Sequence, residues 1–401
     1  MPHAYRGVMV DNVRQPHSFA FHMAMLDRLA DAKLNVYQLH ASDDQGYSLP
    51  SSAFPGLPMA TALNGTEVVA LQTRAAALGI EVVAEVDMPG HSAALLARLP
   101  TLAARNARTG APCHQINVTS PAALATLQTL MAEVMAFFPG QWYHLGADEV
   151  SYDPDCGMTK GSYHGFINAM NTFVQRHNRT MIVWEGFDPA PGGSAPTISS
   201  NVVVSPFDAV HLTPWPHRPH HYYDAGYRVL NTDWNPLYLV HGGSSGFAAG
   251  VDALAAWNPT KYGNYPYLGA SAINWQSLPS DNWQSSSYRS RFSGQNASCW
   301  PDRSGHPPNY IPAPFPADRL LGGALCSWAN PEAVELPILW GNCSGDGATL
   351  PAGYADPGWP RPGPRGSIVG ERLWAGALAE PGDVLERVGC AYWAPPPPPP
   401  P

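Results

Sequence analysis

Residues 142–150, WYHLGADEV, form an apolar run that ends in two adjacent carboxylates, Asp148 and Glu149. A buried strand takes in Trp142, His144 and Leu145, but an ionised pair cannot follow them into a core without partners. The pair therefore belongs where a strand emerges at a wet or partly wet rim. Upstream, RGVMVD (6–11), NVYQLHASDD (35–44) and IEVVAEVDMPGH (80–91) read as strands, the last two with polar ends. Between them, FAFHMAMLDRLADAKL (19–34) carries Phe21, Met25, Leu29 and Ala32 at helical spacing. TEVVALQTRAAALG (66–79) opens on a Thr cap signal and stops at Gly79, and 121–140 is helical again. Strand–helix units joined by short links predict a parallel α/β sheet.

Four more strand candidates follow: RTMIVWEG (179–186), NVVVSPFD (201–208), YRVLNTDW (227–234) and LGGALCSW (321–328), with a late helix at 368–379. Acids and aromatics recur at the carboxyl ends: Asp11, His40 to Asp44, Asp87 with His91, Asp148 with Glu149, Trp184, Phe207, Asp233 and Trp328. An open sheet would not bring eight strand ends to one cavity, whereas a closed barrel does. No glycine fingerprint follows the first strand. The sequence thus predicts a single (β/α)8 TIM barrel with long loop insertions over residues 1–394. Residues 241–320 are too long for a simple link and read as an elaborated loop with some helix at 249–257. The tail, 395–401, is seven consecutive prolines. It is an extended polyproline segment that could weakly dock a profilin, SH3 or WW domain, and a disordered end is the plainer reading.

Composition excludes several classes. The net charge is -9 with only 22 Lys and Arg and no dense basic cluster, which argues against nucleic acid as a partner. No apolar run approaches the roughly 20 residues of a membrane span. The start carries no h-region, yet five sequons, at Asn64, Asn117, Asn178, Asn296 and Asn342, suit a secreted or lysosomal setting if a leader precedes this sequence. Without one, the setting is cytoplasmic. Six Cys are too few and scattered for a disulfide scaffold, and none forms CxxC. One or two loop disulfides among Cys113, Cys156, Cys299 and Cys343 are expected, with Cys326 a buried small hydrophobe.

RG at 6–7, KLNVYQLHASDDQGYSL (33–49), VVAEVDMPGHSAA (82–94) and YHLGADEV (143–150) resemble, in order and spacing, the signatures of the catalytic barrel of glycoside hydrolase family 20, the β-N-acetylhexosaminidases. GYRVLNTDWNPLYLV (226–240), LGGALCSW (321–328) and ERLW (371–374) extend the resemblance across nearly the whole chain. It implies a retaining exo-β-N-acetylhexosaminidase in which the substrate's own 2-acetamido oxygen is the nucleophile. Glu149 would protonate the leaving oxygen, and Asp148 would hold the acetamido N–H and stabilise the oxazoline intermediate. Tyr238 would help grip the same group. His91 would support the acids, oriented by Asp43 or Asp44. Arg6 would bind the far hydroxyls, Trp184, Phe207 and Trp328 would wall the acetamido methyl and the ring, and Asp233 lies at the seventh strand end. For Glu149 to act as an acid, burial and the neighbouring Asp148 should raise its pKa. The resemblance implies neither metal nor cofactor. A zinc reading of His40, Asp44, Asp87 and His91 is weaker, because no HExxH-type pair fixes them.

The departures from the family pattern concern outer hydroxyls. Val240 and Asn330 stand where many members carry acids, with Glu332 close enough to replace the second or to cap a helix. Glycon choice stays open, including a lacto-N-biosidase-like preference. The rival reading is a non-catalytic carbohydrate-binding barrel, against which the intact Asp148, Glu149, His91 and Tyr238 argue.

Overall fold

The computed structural model describes residues 3–187, 189, 197–207, 219–232, 237–240, 247–248, 318–341, 364–375, 384 and 386–388. Asp233, the expected helix at 249–257, Cys299, Cys343 and the proline tail lie outside the described residues.

Eight parallel strands close into a ring: β1 (Tyr5–Asp11), β2 (Val36–His40), β3 (Glu81–Glu85), β4 (Trp142–His144), β5 (Thr180–Trp184), β6 (Val203–Ser205), β7 (Arg228–Asn231) and β8 (Leu320–Trp328). Closure is made by β8 on β1, in register from Tyr5 opposite Gly322 to Val10 opposite Ser327. The strands are buried on both faces, as a barrel filled by side chains inside and covered by helices outside requires. Helices α1 (Phe19–Asp31), α2 (Gly65–Ala77), α3 (Pro121–Phe137) and α4 (Lys160–Arg176) follow the first four strands. In α1 the expected stripe is real: Phe21, Met25 and Leu29 are buried, each contributing roughly 1.5–3 kcal/mol against exposure. The cap of α2 is Asn64 rather than a Thr, in a capping box with Glu67. After β8 come α5 (Glu332–Trp340) and α6 (Arg365–Ala375).

Three strands are shorter than the sequence suggests. β2 stops at His40, and Ser42–Asp43 turns into a hairpin with Gly46–Tyr47. β3 stops at Glu85, and β4 at His144, so neither DMPGH nor the acid pair is in a strand. The seventh wall of the barrel comes in two pieces. β7 pairs with the lower part of β8, and the short strand Tyr238–Val240 pairs in parallel with its upper part, Tyr238 opposite Cys326. That second piece carries Tyr238 to the carboxyl end.

After β3 an antiparallel hairpin, Ala103–Arg105 with Pro112–Ile116, rises beside the acids. Cys113 on it is bridged to Cys156, 43 residues on, and Cys326 is buried and free. Replacing both bridged cysteines with Ser is expected to cost roughly 2–4 kcal/mol of stability. Urea unfolding of the two proteins measures it, and coincident curves would contradict it.

Candidate active site

The carboxyl ends of the first four strands put Asp11, His40, Glu85 and His144 at one level, each opposite the next across the ladders. Glu85 is fully buried in the barrel, so its charge must be met. Gln38 Nε2 donates to it at 2.7 Å, Trp184 Nε1 at 2.6 Å, and His40 Nδ1 lies 3.1 Å away. Burial opposes its ionisation, but the His144 and His40 rings and these donors outweigh that and hold its pKa low. His40 turns its other nitrogen to Asp43, 3.0 Å away, and is held protonated well above the usual imidazole range. His144 stays neutral, pushed down to about 4 by burial, with Nδ1 accepting the Gly146 N–H.

The loop after β4 sets the acids. Gly146, Ala147 and Glu149 all have left-handed backbone, with φ of 73°, 76° and 49°. Glycine is required at 146, since a Cβ there would sit 2.1 Å from Asp87 Oδ1. Two bonds pin Ala147: its N–H donates to Asp87 at 2.9 Å, and its carbonyl accepts from buried Tyr163 of α4 at 2.6 Å. The chain therefore turns between the acids, and this turn, not strand alternation, sends their side chains apart. Asp148 has 14% of its side chain exposed and Glu149 has 52%.

His91 stands between them, at φ 44° in the turn that leaves β3. Its Nε2 is 3.2 Å from Glu149 and 3.9 Å from Asp148, and its Nδ1 is 3.5 Å from Asp43 and 3.9 Å from Asp44. Burial works against its charge, yet hydrogen bonds to Asp43 and Glu149 and the charges of Asp148 and Asp87 prevail and push it up to about 12. Asp43 is the nearer of the two aspartates; Asp44 also accepts the Ala93 N–H at 2.9 Å. Burial drives Asp148 up to about 6, aided by Glu149 and opposed by His91. Burial raises Asp87 too, beyond the usual carboxyl range, and it shares a hydrogen bond with Asp148. Glu149 departs from expectation: the His91 hydrogen bond lowers its pKa, because direct contact with an imidazolium outweighs the burial that would raise it.

Four aromatic rings gather above the buried acid. Trp184 meets Phe207 at 5.8 Å and Trp328 at 6.0 Å, Phe207 stacks on Tyr238 at 6.2 Å, and Tyr238 meets Trp328 at 5.7 Å. Asp148 Oδ1 and Trp328 Nε1 are two of several buried polar atoms among the described residues that lack a hydrogen-bond partner, one an acceptor and the other a donor.

Two sequence expectations are corrected. Arg6 lies at the amino end of β1, where its guanidinium donates to the Lys33 and His3 carbonyls and stacks over Trp374 at 5.1 Å. It is on the wrong face of the barrel to touch a sugar. Arg14, unremarked in the sequence, is the arginine at the carboxyl end, 2.9 Å from Asp11, 2.6 Å from Asp43 and 5.3 Å over Trp328. Glu332 is engaged elsewhere, accepting from the Ser18 N–H at 2.6 Å and its hydroxyl at 2.7 Å, which ties the start of α5 to the cap of α1. Asn330, at the other altered position, is buried and donates to Leu239 and Ser327. Ligand-type atoms of Asp43, Asp44 and His91, and of Asp87, His91 and Asp148, lie within 4.8 Å of one another. Both sets depend on His91, whose protonated ring has no lone pair to offer a metal.

The family model of the glycosyl hydrolase family 20 catalytic domain matches residues 3–330. A β-N-acetylhexosaminidase of Cellulomonas fimi is 27% identical over 304 residues, 64% of this chain and 59% of that protein. A β-hexosaminidase of Vibrio furnissii is 31% identical over 175 residues, 36% of this chain and 29% of that one. Among solved structures, an exo-β-N-acetylglucosaminidase of Vibrio harveyi shares the fold with a TM-score of 0.64 at 18% identity, over 97% of this chain and 57% of that chain. Dispersin B aligns with a TM-score of 0.53 at 17% identity, over 83% and 93%. The chain thus spans less than two thirds of the length of the curated relatives cited.

Proposed function

Because the chain belongs to glycosyl hydrolase family 20, we propose that its barrel removes terminal β-linked N-acetylhexosamine residues from glycans, with retention and by substrate assistance. The observation that carries this reading is the buried, unpartnered Asp148 Oδ1 beside the aromatic cluster. An acceptor in that setting fits the N–H of an acetamido group, whose methyl would meet Trp184, Phe207 and Trp328. Tyr238, in the same cluster, would grip the acetamido oxygen. Arg14 and Asp43, at the opposite rim from the aromatic wall of β5 and β6, would hold ring hydroxyls; the planar fork of an arginine suits a vicinal pair.

In the first step the acetamido oxygen attacks the anomeric carbon, the glycosidic bond breaks, and Glu149 gives its proton to the leaving oxygen. Ionised Asp148 takes the N–H of the oxazolinium and offsets its positive charge. Water then adds to the anomeric carbon while Glu149 takes its proton, and the ring reopens to the acetamide. Glu85, through His40 and the Trp184 indole, fixes the floor on which this happens.

The competent free enzyme needs Glu149 protonated and Asp148 ionised. Their pKa values lie in the opposite order, with Asp148 near 6 and Glu149 lowered from its ordinary value by the His91 hydrogen bond. The expected profile of kcat/KM is a bell on the acid side of pH 6, falling above it. Removing the imidazolium in His91→Gln should raise both acids and move both limbs upward, with lower kcat. Limbs that stay in place would show that His91 does not set them. Hydrolysis of an aryl β-N-acetylglucosaminide, with retention followed by NMR, tests the function as a whole.

A further inference from the structure

The carboxyl end of β8 divides its side chains between two layers. Cys326 packs in the inner core with Trp184 and Tyr238, and Trp328 meets the rings of the same two residues. Ser327, between them, therefore faces outward, towards the helices. After Trp328 the chain turns through Ala329, whose backbone is left-handed with φ 55°. Asn330 falls in behind the strand, buried against the Ser327 side chain and not towards the cavity.

There its Nδ2 donates to Ser327 Oγ at 2.7 Å and to the Leu239 carbonyl at 3.2 Å. A carbonyl can only accept, so the amide nitrogen must be the end that meets Leu239. Leu239 is the middle residue of Tyr238–Val240, the three-residue strand that carries Tyr238 to the cavity. One amide thus joins the two pieces of wall that present Tyr238 and Trp328, whose rings lie 5.7 Å apart. A carboxylate could not replace it, having no hydrogen for the Leu239 carbonyl. It would also meet Glu335 of α5, which is buried in this outer layer with Ser327 and Asn330 against its carboxyl. Burial pushes the Glu335 pKa up to about 8 despite those neighbours, so a second acid would find no counter-charge there.

We infer that Asn330 is a positioning residue of the acetamido subsite, an amide tie that sets Tyr238 against Trp328, and not a ligand of the sugar's outer hydroxyls. The inference rests on the hydrolase reading above. It gives the asparagine a reason to stand where many family members carry an acid: the side chain serves the wall from behind.

The test uses the intact protein and the variants Asn330→Asp and Asn330→Ala. KM is measured for an aryl β-N-acetylglucosaminide and for its 4-deoxy and 6-deoxy analogues, with the inhibition constant of a thiazoline mimic of the cyclised intermediate. Both variants should raise KM and weaken the thiazoline about fivefold or more, roughly the worth of one buried hydrogen bond. Asn330→Asp should lose at least as much as Asn330→Ala, although it restores an acid. The factor should be the same for the deoxy sugars as for the parent, because Asn330 touches none of their hydroxyls. A variant that only folds less well loses active protein, and so kcat, with KM and the inhibition constant unchanged. Those two constants unchanged, a loss that vanishes with either deoxy sugar, or tighter thiazoline binding by Asn330→Asp would overturn the inference. If the wild type cleaves the aryl substrate and its variants give one of those results, only the Asn330 assignment fails. If the wild type cleaves no N-acetylhexosaminide at all, the hydrolase reading fails and this one with it.

Discussion

Glu149→Gln is expected to cut turnover of a poor leaving group, such as a sugar or a methyl glycoside, by roughly 10²–10⁴-fold. The amide keeps the shape but has no proton to transfer. A leaving group as acidic as dinitrophenol departs without help, so the first step of that substrate should be largely spared. The loss should therefore grow with leaving-group pKa. Gln also keeps an oxygen that can accept from His91, so the 3.2 Å contact need not be lost with the proton. A Brønsted series that falls by one constant factor across leaving groups would remove Glu149 from the role of acid.

Asp148→Asn should fail differently. The variant weakens the charge that offsets the oxazolinium whatever the leaving group, so its loss, of order 10²–10³-fold as for other electrostatic stabilisers, should be uniform across the same series. A thiazoline mimic of the cyclised intermediate should bind the wild type tightly and the variant far more weakly. Burial is the main cause that raises Asp87, and the neutral side chain removes the Asp148 charge that adds to it, so the variant should not be destabilised even as activity collapses. Equal thiazoline affinity in the two proteins would contradict the assignment.

Much of this fold is legible in the chain because each early strand is a short apolar run with a polar end and each early helix has an apolar stripe. The acid pair, His91, Asp43, Trp184 and Trp328 fall together because all stand at carboxyl ends of barrel strands, where the topology brings them to one cavity. Arg6 misleads for a metric reason. It is the second residue of β1, and the five residues to Asp11 at about 3.3 Å each carry the chain across the barrel. Arg14, three residues past that strand end, was the arginine to weigh. Glu85 was also readable: a lone acid inside VVAEV in a buried strand demands partners, and His40, Gln38 and Trp184 provide them. The pKa of Glu149 was not readable, because it turns on a left-handed backbone that leaves the side chain half exposed and against His91, and no local pattern encodes that contact. Glu332 was ambiguous for a similar reason, since its partner Ser18 is 314 residues away.

The most direct test of substrate assistance compares 4-nitrophenyl 2-acetamido-2-deoxy-β-glucoside with the 2-hydroxy glucoside under identical conditions. An internal nucleophile held at the anomeric carbon should favour the acetamido sugar in kcat/KM on the order of 10³-fold or more. Comparable rates for the two sugars would contradict substrate assistance and leave Asp148 and Glu149 in need of a different mechanism.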